Sequence, residues 1–139
     1  MKAREYLDQA YKLDQRINSK LEQISVLNAL ARKATGIITG MPHSPNHGES
    51  RVADAVEKIV DLQDEIRRDA DELVDVKRGI MHVIKAVDDV DCRLLLEMRY
   101  LCYRSWEQIA VDMGYCIDNI YRLHRKALRL VEEVLESLQ

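Results

Sequence analysis

Asp118, Arg122, Arg125 and Arg129 follow one another at steps of four, three and four residues. On a helix that spacing lines up one acid and three guanidinium groups along a single stripe. A guanidinium is always charged and presents a planar fork of donors that fits a phosphate, or the acceptor edge of a guanine. With Lys126 added, residues 115–130 carry four cations against one acid, a local balance of +3. The chemistry on offer is anion binding, without signs of catalysis. The chain has no glycine-rich phosphate loop and no nucleophile beside a base, and its carboxylates fall on solvated helix faces, so no enzyme is expected. His43 and His47, four apart, and Cys92, Cys102 and Cys116 form no Cys-x-x-Cys pair and share no scaffold. No metal site and no cofactor are expected from them.

Two helices must hold the stripe. Ser105 and Gln108 make a Ser-x-x-Gln capping box, which starts a helix. Ile109, Ala110 and Met113 give it an apolar face, with Glu107 and Asp112 outside, and Gly114 supplies the left-handed residue that most cheaply ends it. Beyond the turn, Ile120, Leu123, Ala127, Leu130 and Val134 recur at steps of three and four, which predicts a longer second helix with one buried face.

Met98-Arg99-Tyr100, then Ser-Trp-Glu-Gln-Ile-Ala (105–110), Gly114, Ile120 and Arg-Lys-Ala-Leu (125–128), resemble the fourth region of bacterial sigma-70 factors. The likeness is strongest to small phage and prophage regulators of the ArpU type, which carry such a module behind a helical N-terminal part. It covers residues 90–135. The resemblance implies a helix-turn-helix whose second helix enters the major groove of double-stranded DNA. It places Ile117, Asp118, Asn119, Tyr121 and Arg122 toward the bases. Arg125, Lys126 and Arg129 would take phosphates, with Arg104 beside them. In that frame Arg122 suits guanine, Asp118 a cytosine amino group and Asn119 adenine. One departure stands out: Cys116 and Ile117 replace the usual Ser or Thr cap and basic residue. Either the helix starts later, with Asp118 as its cap, or Ile117 touches a thymine methyl.

What the resemblance implies is a transcription regulator of phage or prophage late genes; the helical N-terminal part adds a homodimer as an expected partner, in the cytoplasm of a bacterial host. Two other classes fit the same residues. One is a protein-interaction adaptor whose module contacts RNA polymerase without reading DNA; the other is a DNA-packaging recognition subunit of the small-terminase kind. A three-helix bundle with no nucleic-acid role would show the same periodicity.

The whole chain limits these readings. Its 139 residues include no Phe, five Gly and two Pro, and 32% are charged, a balance that favours an all-α protein. The net charge of −3 offers no general attraction to nucleic acid, so affinity must be local. Residues 1–35 hold seven basic and four acidic residues, 49–91 seven and thirteen, and 92–139 seven of each. The acidic middle is unsuited to DNA. An odd number of cysteines argues against a disulfide framework and fits a reducing cytoplasm. No signal peptide and no apolar run of membrane-spanning length is apparent, so neither a membrane nor a small-molecule substrate is an expected partner.

Residues 1–87 read as a long antiparallel helical hairpin for oligomerisation or docking, and 88–139 as the sigma-like module. Tyr6, Ala10, Leu13, Ile17, Ile24, Leu27 and Ala31 form a heptad stripe that lapses at Lys20. Residues 35–49, with three Gly and both Pro, read as a loop. From a cap at Ser50, the stripe Val52, Ala55, Ile59, Leu62, Ile66, Asp69, Leu73, Val76, Ile80, Val83 and Val87 runs without a slip. Its helix is about 50 Å long and pairs with the first, within one chain or between two. Asp69 either meets Arg16 or Lys20 across the seam or twists outward. Asp89 or Asp91 should cap the next helix, Cys92–Leu101, whose Leu94, Leu95 and Met98 pack on Ile109, Ile120 and Leu123. Trp106 is expected against the preceding long helices.

Overall fold

The computed structural model describes residues 2–38 and 45–139, with side chains at 2–33 and 50–139. It is all-helical, and no strand occurs among the described residues. The elements are α1 (Ala3–Ile38), α2 (Pro45–Lys85), α3 (Val90–Leu96) running into a π-helical turn (Glu97–Leu101), α4 (Trp106–Met113) and α5 (Ile117–Ser137).

Both ends of the expected loop at 35–49 are helical. α1 continues through Gly36 to Ile38, and α2 already begins at Pro45, so Ser50 lies inside a helix and caps nothing. Proline is at home in a first helical position, where its missing N–H would have had no partner. A glycine inside a long helix costs only about 1 kcal/mol relative to alanine. The metal reading of His43 and His47 falls outside the described side chains.

The chain divides into two compact units, one of residues up to Leu13 together with Leu73–Gln139 and one of Asp14–Glu72. This differs from a division at residue 87, because the first turns of α1 and the last turns of α2 share a core with α3 and α5. That core holds Leu7, Ala10, Ile80, Val83, Ile84, Val87, Cys92, Leu96, Tyr100, Ala127 and Val131. A second cluster, Leu95, Ile109 and Ile120, is flanked by Met98, Trp106, Met113 and Leu123 and joins α3, α4 and α5.

In the unit Asp14–Glu72, rising positions of α1 meet falling positions of α2. Lys20 lies against Glu65 and Asp69, and Leu27, Leu30 and Ala31 share a groove with Arg51, Asp54 and Ala55. Ile17, Lys20, Ile24, Leu27 and Ala31 face Val52, Ala55, Ile59, Leu62, Ile66 and Asp69, and within this unit all but Asp69 are only half-buried. One partner helix covers a stripe from one side only, so half-burial is what a two-helix layer yields. Asp69 turns inward, 8% exposed, and accepts from Lys20 Nζ at 2.6 Å. The two lapses in the stripes therefore find each other.

The α5 seam is rotated from the expected one. Ile120, His124, Ala127 and Val131 are buried, whereas Leu123, Leu130 and Val134 are only partly so. On α3, Leu94 is 38% exposed, and Cys92 and Leu96 point inward beside Leu95. Both seams follow steps of three and four; the apolar side chains one place over misassigned the face because two of the inward residues are a histidine and a cysteine. No helix among the described residues is long and apolar enough to cross a membrane.

Candidate nucleic-acid interface

Caps fix where each helix of the C-terminal part begins and ends. Asp89 Oδ1 accepts from Cys92 N at 3.0 Å and starts α3. The helix then loosens into the π turn, closed by Cys102 N to Glu97 O at 3.1 Å. Tyr103 follows in the left-handed region, φ 57°, with its ring edge-on to Tyr11 at 5.6 Å and beneath Lys77 at 5.0 Å. Ser105 Oγ accepts from Gln108 N at 3.1 Å and starts α4 as the capping box requires. The reciprocal half of the box is missing, because Gln108 Nε2 donates to Asp112 Oδ1 at 2.8 Å instead.

Gly114 ends α4 at φ 71°. A Cβ built there meets nothing within 4 Å, so a Gly114→Ala variant would suffer backbone strain without a clash. A urea or thermal melt should show a loss of about 1–2 kcal/mol; a much larger loss would mean that the turn is held by contacts that an added methyl breaks.

α5 begins at Ile117 with Cys116 as its N-cap, and Cys116 makes no side-chain capping bond. Asp118 thus lies in the first turn, exposed and not used as a cap. Ile117 is half-buried. Asp118, Arg122, Arg125 and Arg129 are exposed on the side of α5 away from Ile120, His124, Ala127 and Val131. Among the described residues, none of these three arginines has an ion-pair partner.

The other expected contacts scatter. At about 100° per residue, Asn119 and Tyr121 lie roughly 160° apart around the axis and cannot face one groove floor together. Asn119 turns toward Tyr115, Arg122, Leu123, Lys126 and Arg129, which line an open groove of about 340 Å³. Tyr121 lies on the other flank, its ring edge-on to Trp106 at 5.8 Å. Two of the expected phosphate ligands are paired internally. Arg104 Nη1 donates to Asp112 at 3.0 Å, and Lys126 Nζ donates to Asp89 Oδ2 at 2.9 Å. The Cys92 amide and the Lys126 ammonium hold the Asp89 carboxyl down at about 2, and Lys126 is raised in return. Tyr115 donates to Asp91 at 3.0 Å, which raises its hydroxyl as well.

Behind the stripe lies a polar pair that the spacing argument passed over. Tyr100 Oη and His124 Nε2 are 2.6 Å apart, both buried. Trp106 packs on the imidazole at 4.5 Å rather than on the long helices, and Arg99 stacks over the indole at 4.4 Å. Burial lowers His124 to about 4, helped by Arg4, Arg99 and Arg125, and burial pushes Tyr100 up to about 12. His124 is four residues after Ile120 and three before Ala127, a spacing that would have admitted it to the seam. Among the described residues no group of three or more His, Cys, Asp or Glu could hold a metal ion, and the three cysteines are free.

A family described as "Protein of unknown function (DUF1492)" matches residues 43–132, about two-thirds of the chain. The chain belongs to that family. The DUF1492 match takes in the described part of α2, α3, α4 and the arginine stripe of α5, and leaves α1 outside. No curated protein and no solved structure matches the chain.

Proposed function

We propose that the chain is a sequence-reading DNA-binding protein, a transcription regulator of phage or prophage genes. In this reading α4 and α5 act as a helix-turn-helix of the sigma region 4 kind. Residues 1–87 act as a helical hairpin that docks or dimerises, so that two copies address two half-sites. The observation that carries the proposal is the stripe of α5: Arg122, Arg125 and Arg129 are exposed opposite its buried seam and hold no ion pair among the described residues. Three guanidiniums on one face of a helix repel one another, and an opposing line of phosphates would relieve that repulsion. Arg122 and Asp118 are the base readers in this proposal, Arg125 and Arg129 the backbone ligands.

Selection from random duplex DNA by the purified chain, beside an Arg122→Ala, Arg125→Ala variant, tests it. A motif enriched by the parent and lost in the variant is expected, with a cost of about 1–3 kcal/mol for a base-reading arginine. A palindromic motif would accompany the dimer. Equal, weak, salt-sensitive binding by both proteins, with no motif, would refute the proposal. A second reading, an adaptor that docks on RNA polymerase, draws on Val111, 76% exposed on α4, and on Val90, exposed at the start of α3. It predicts capture of polymerase without duplex enrichment. The third, a packaging recognition subunit, predicts a ring-sized oligomer.

A further inference from the structure

Lys126 stands between two hollows of opposite character. On one side is the groove lined by Tyr115, Asn119, Arg122, Leu123, Lys126 and Arg129, with three cations and no carboxylate. On the other is a hollow of about 350 Å³ that includes Asp88, Asp89 and Glu133. The ammonium is turned to the acidic side, on Asp89, and its side chain remains about half exposed. The acidic start of α3 reaches the cationic groove twice, since Asp91, in its first turn, also accepts from Tyr115. An exposed ion pair of this kind is weak, so the ammonium can be drawn away by a better anion. At ~30 Å³ per water the groove has room for about eleven, enough for a phosphate with part of its sugar.

We infer that this groove seats one backbone phosphate of duplex DNA, between Lys126 and Arg129, and that Asp89 is the internal anion from which the phosphate takes Lys126. The inference rests on the DNA-binding reading and adds two roles to it. Asn119 becomes a phosphate-side donor on the flank of α5, and Asp89 sets how much affinity the seat yields. The seat acts on any sequence, because a phosphate carries no base information.

Binding of a labelled mixed-sequence duplex is measured over a series of salt concentrations for the full chain and four variants. Lys126→Gln should weaken binding and flatten the log–log salt slope by about 0.9. Asp89→Asn should tighten binding about threefold at low salt, and asparagine keeps the α3 cap. Asp88→Asn removes the same charge from the same hollow and should do less. In the Lys126→Gln background, Asp89→Asn should have no effect, a coupling that a general change of charge cannot produce. Tightening that survives in that background, or that Asp88→Asn equals, overturns the seat while leaving DNA binding in place. No duplex binding by any of the proteins overturns the seat together with the reading beneath it. Tighter binding of duplex RNA than of DNA of the same sequence overturns DNA as the occupant.

Discussion

Acidification from pH 6.5 toward 4 should remove about 3 kcal/mol of folding free energy that a His124→Gln variant does not lose. The sign follows from the direction of the shift. In the folded chain the imidazole sits at about 4, below the 6.5 it has when unfolded. Between those values the unfolded state binds a proton that the folded state refuses. The contribution is therefore complete above pH 6.5 and is lost as the pH falls through 4. The refusal is physical: the ring is buried, 8% exposed, and Arg4, Arg99 and Arg125 add repulsion. Asp89 contributes in a lower window, because its folded value of about 2 lies below 3.8 and its share disappears only as the pH falls through that range. Urea unfolding at a series of pH values, followed by the one tryptophan, whose ring is 4.5 Å from the imidazole, separates the two. Parallel losses in parent and variant, or an imidazole that titrates near 6.5 by NMR, would contradict the assignment.

That His124 was passed over for its residue type, though its spacing fits the seam, shows where sequence reasoning stops. The heptads of α1 and α2 were legible because every seam position but two is apolar, and the two exceptions, Lys20 and Asp69, carry opposite charges. The caps at Asp89 and Ser105 and the left-handed Gly114 were legible because each rests on local chemistry, a side chain and backbone groups a few residues apart. α5 was harder. It offers Leu123, Leu130 and Val134 beside Ile120, Ala127 and Val131, so two apolar faces overlap, and a binary pattern favours the one with more leucine. The buried Tyr100 hydroxyl, which makes a histidine acceptable inside, belongs to another element 24 residues away.

The site was legible to the same depth. Which arginines share a stripe is a matter of angle, and the stripe is where the spacing put it. Whether a cation is free is a matter of neighbours, and neighbours come from other elements. Lys126 meets Asp89 across 37 residues and Arg104 meets Asp112 across eight, so neither pairing could be read along the chain. Composition misled at 35–49 for a related reason: glycine and proline raise the cost of a helix without forbidding it, and proline at the first position scarcely raises it at all.

Lys20→Leu should destabilise the Asp14–Glu72 unit by about 3 kcal/mol, and adding Asp69→Leu should restore it to at least parental stability. The single change leaves the Asp69 carboxylate inside the seam, its side chain 11% exposed, with its 2.6 Å partner gone. It also leaves Glu65 and Asp69, one helical turn apart, as like charges with no cation between them, since Lys20 Nζ is 3.8 Å from Glu65 as well. The reverse single change, Asp69→Leu, should cost far less, about 1 kcal/mol or under. Lys20 can slide its ammonium outward to the half-exposed Glu65 while its methylenes stay on the seam. The double variant turns both stripes into uninterrupted apolar heptads, whose burial needs no desolvation of charge. What it gives up is a buried polar pair that distinguishes this register from a neighbouring one, so stability should hold while uniqueness declines. Urea unfolding of the three variants orders them, and amide spectra of the double variant report whether one register survives. Equal costs for the two single changes, or a double variant weaker than Lys20→Leu, would mean that the pair holds these helices together by attraction rather than by marking where they must align.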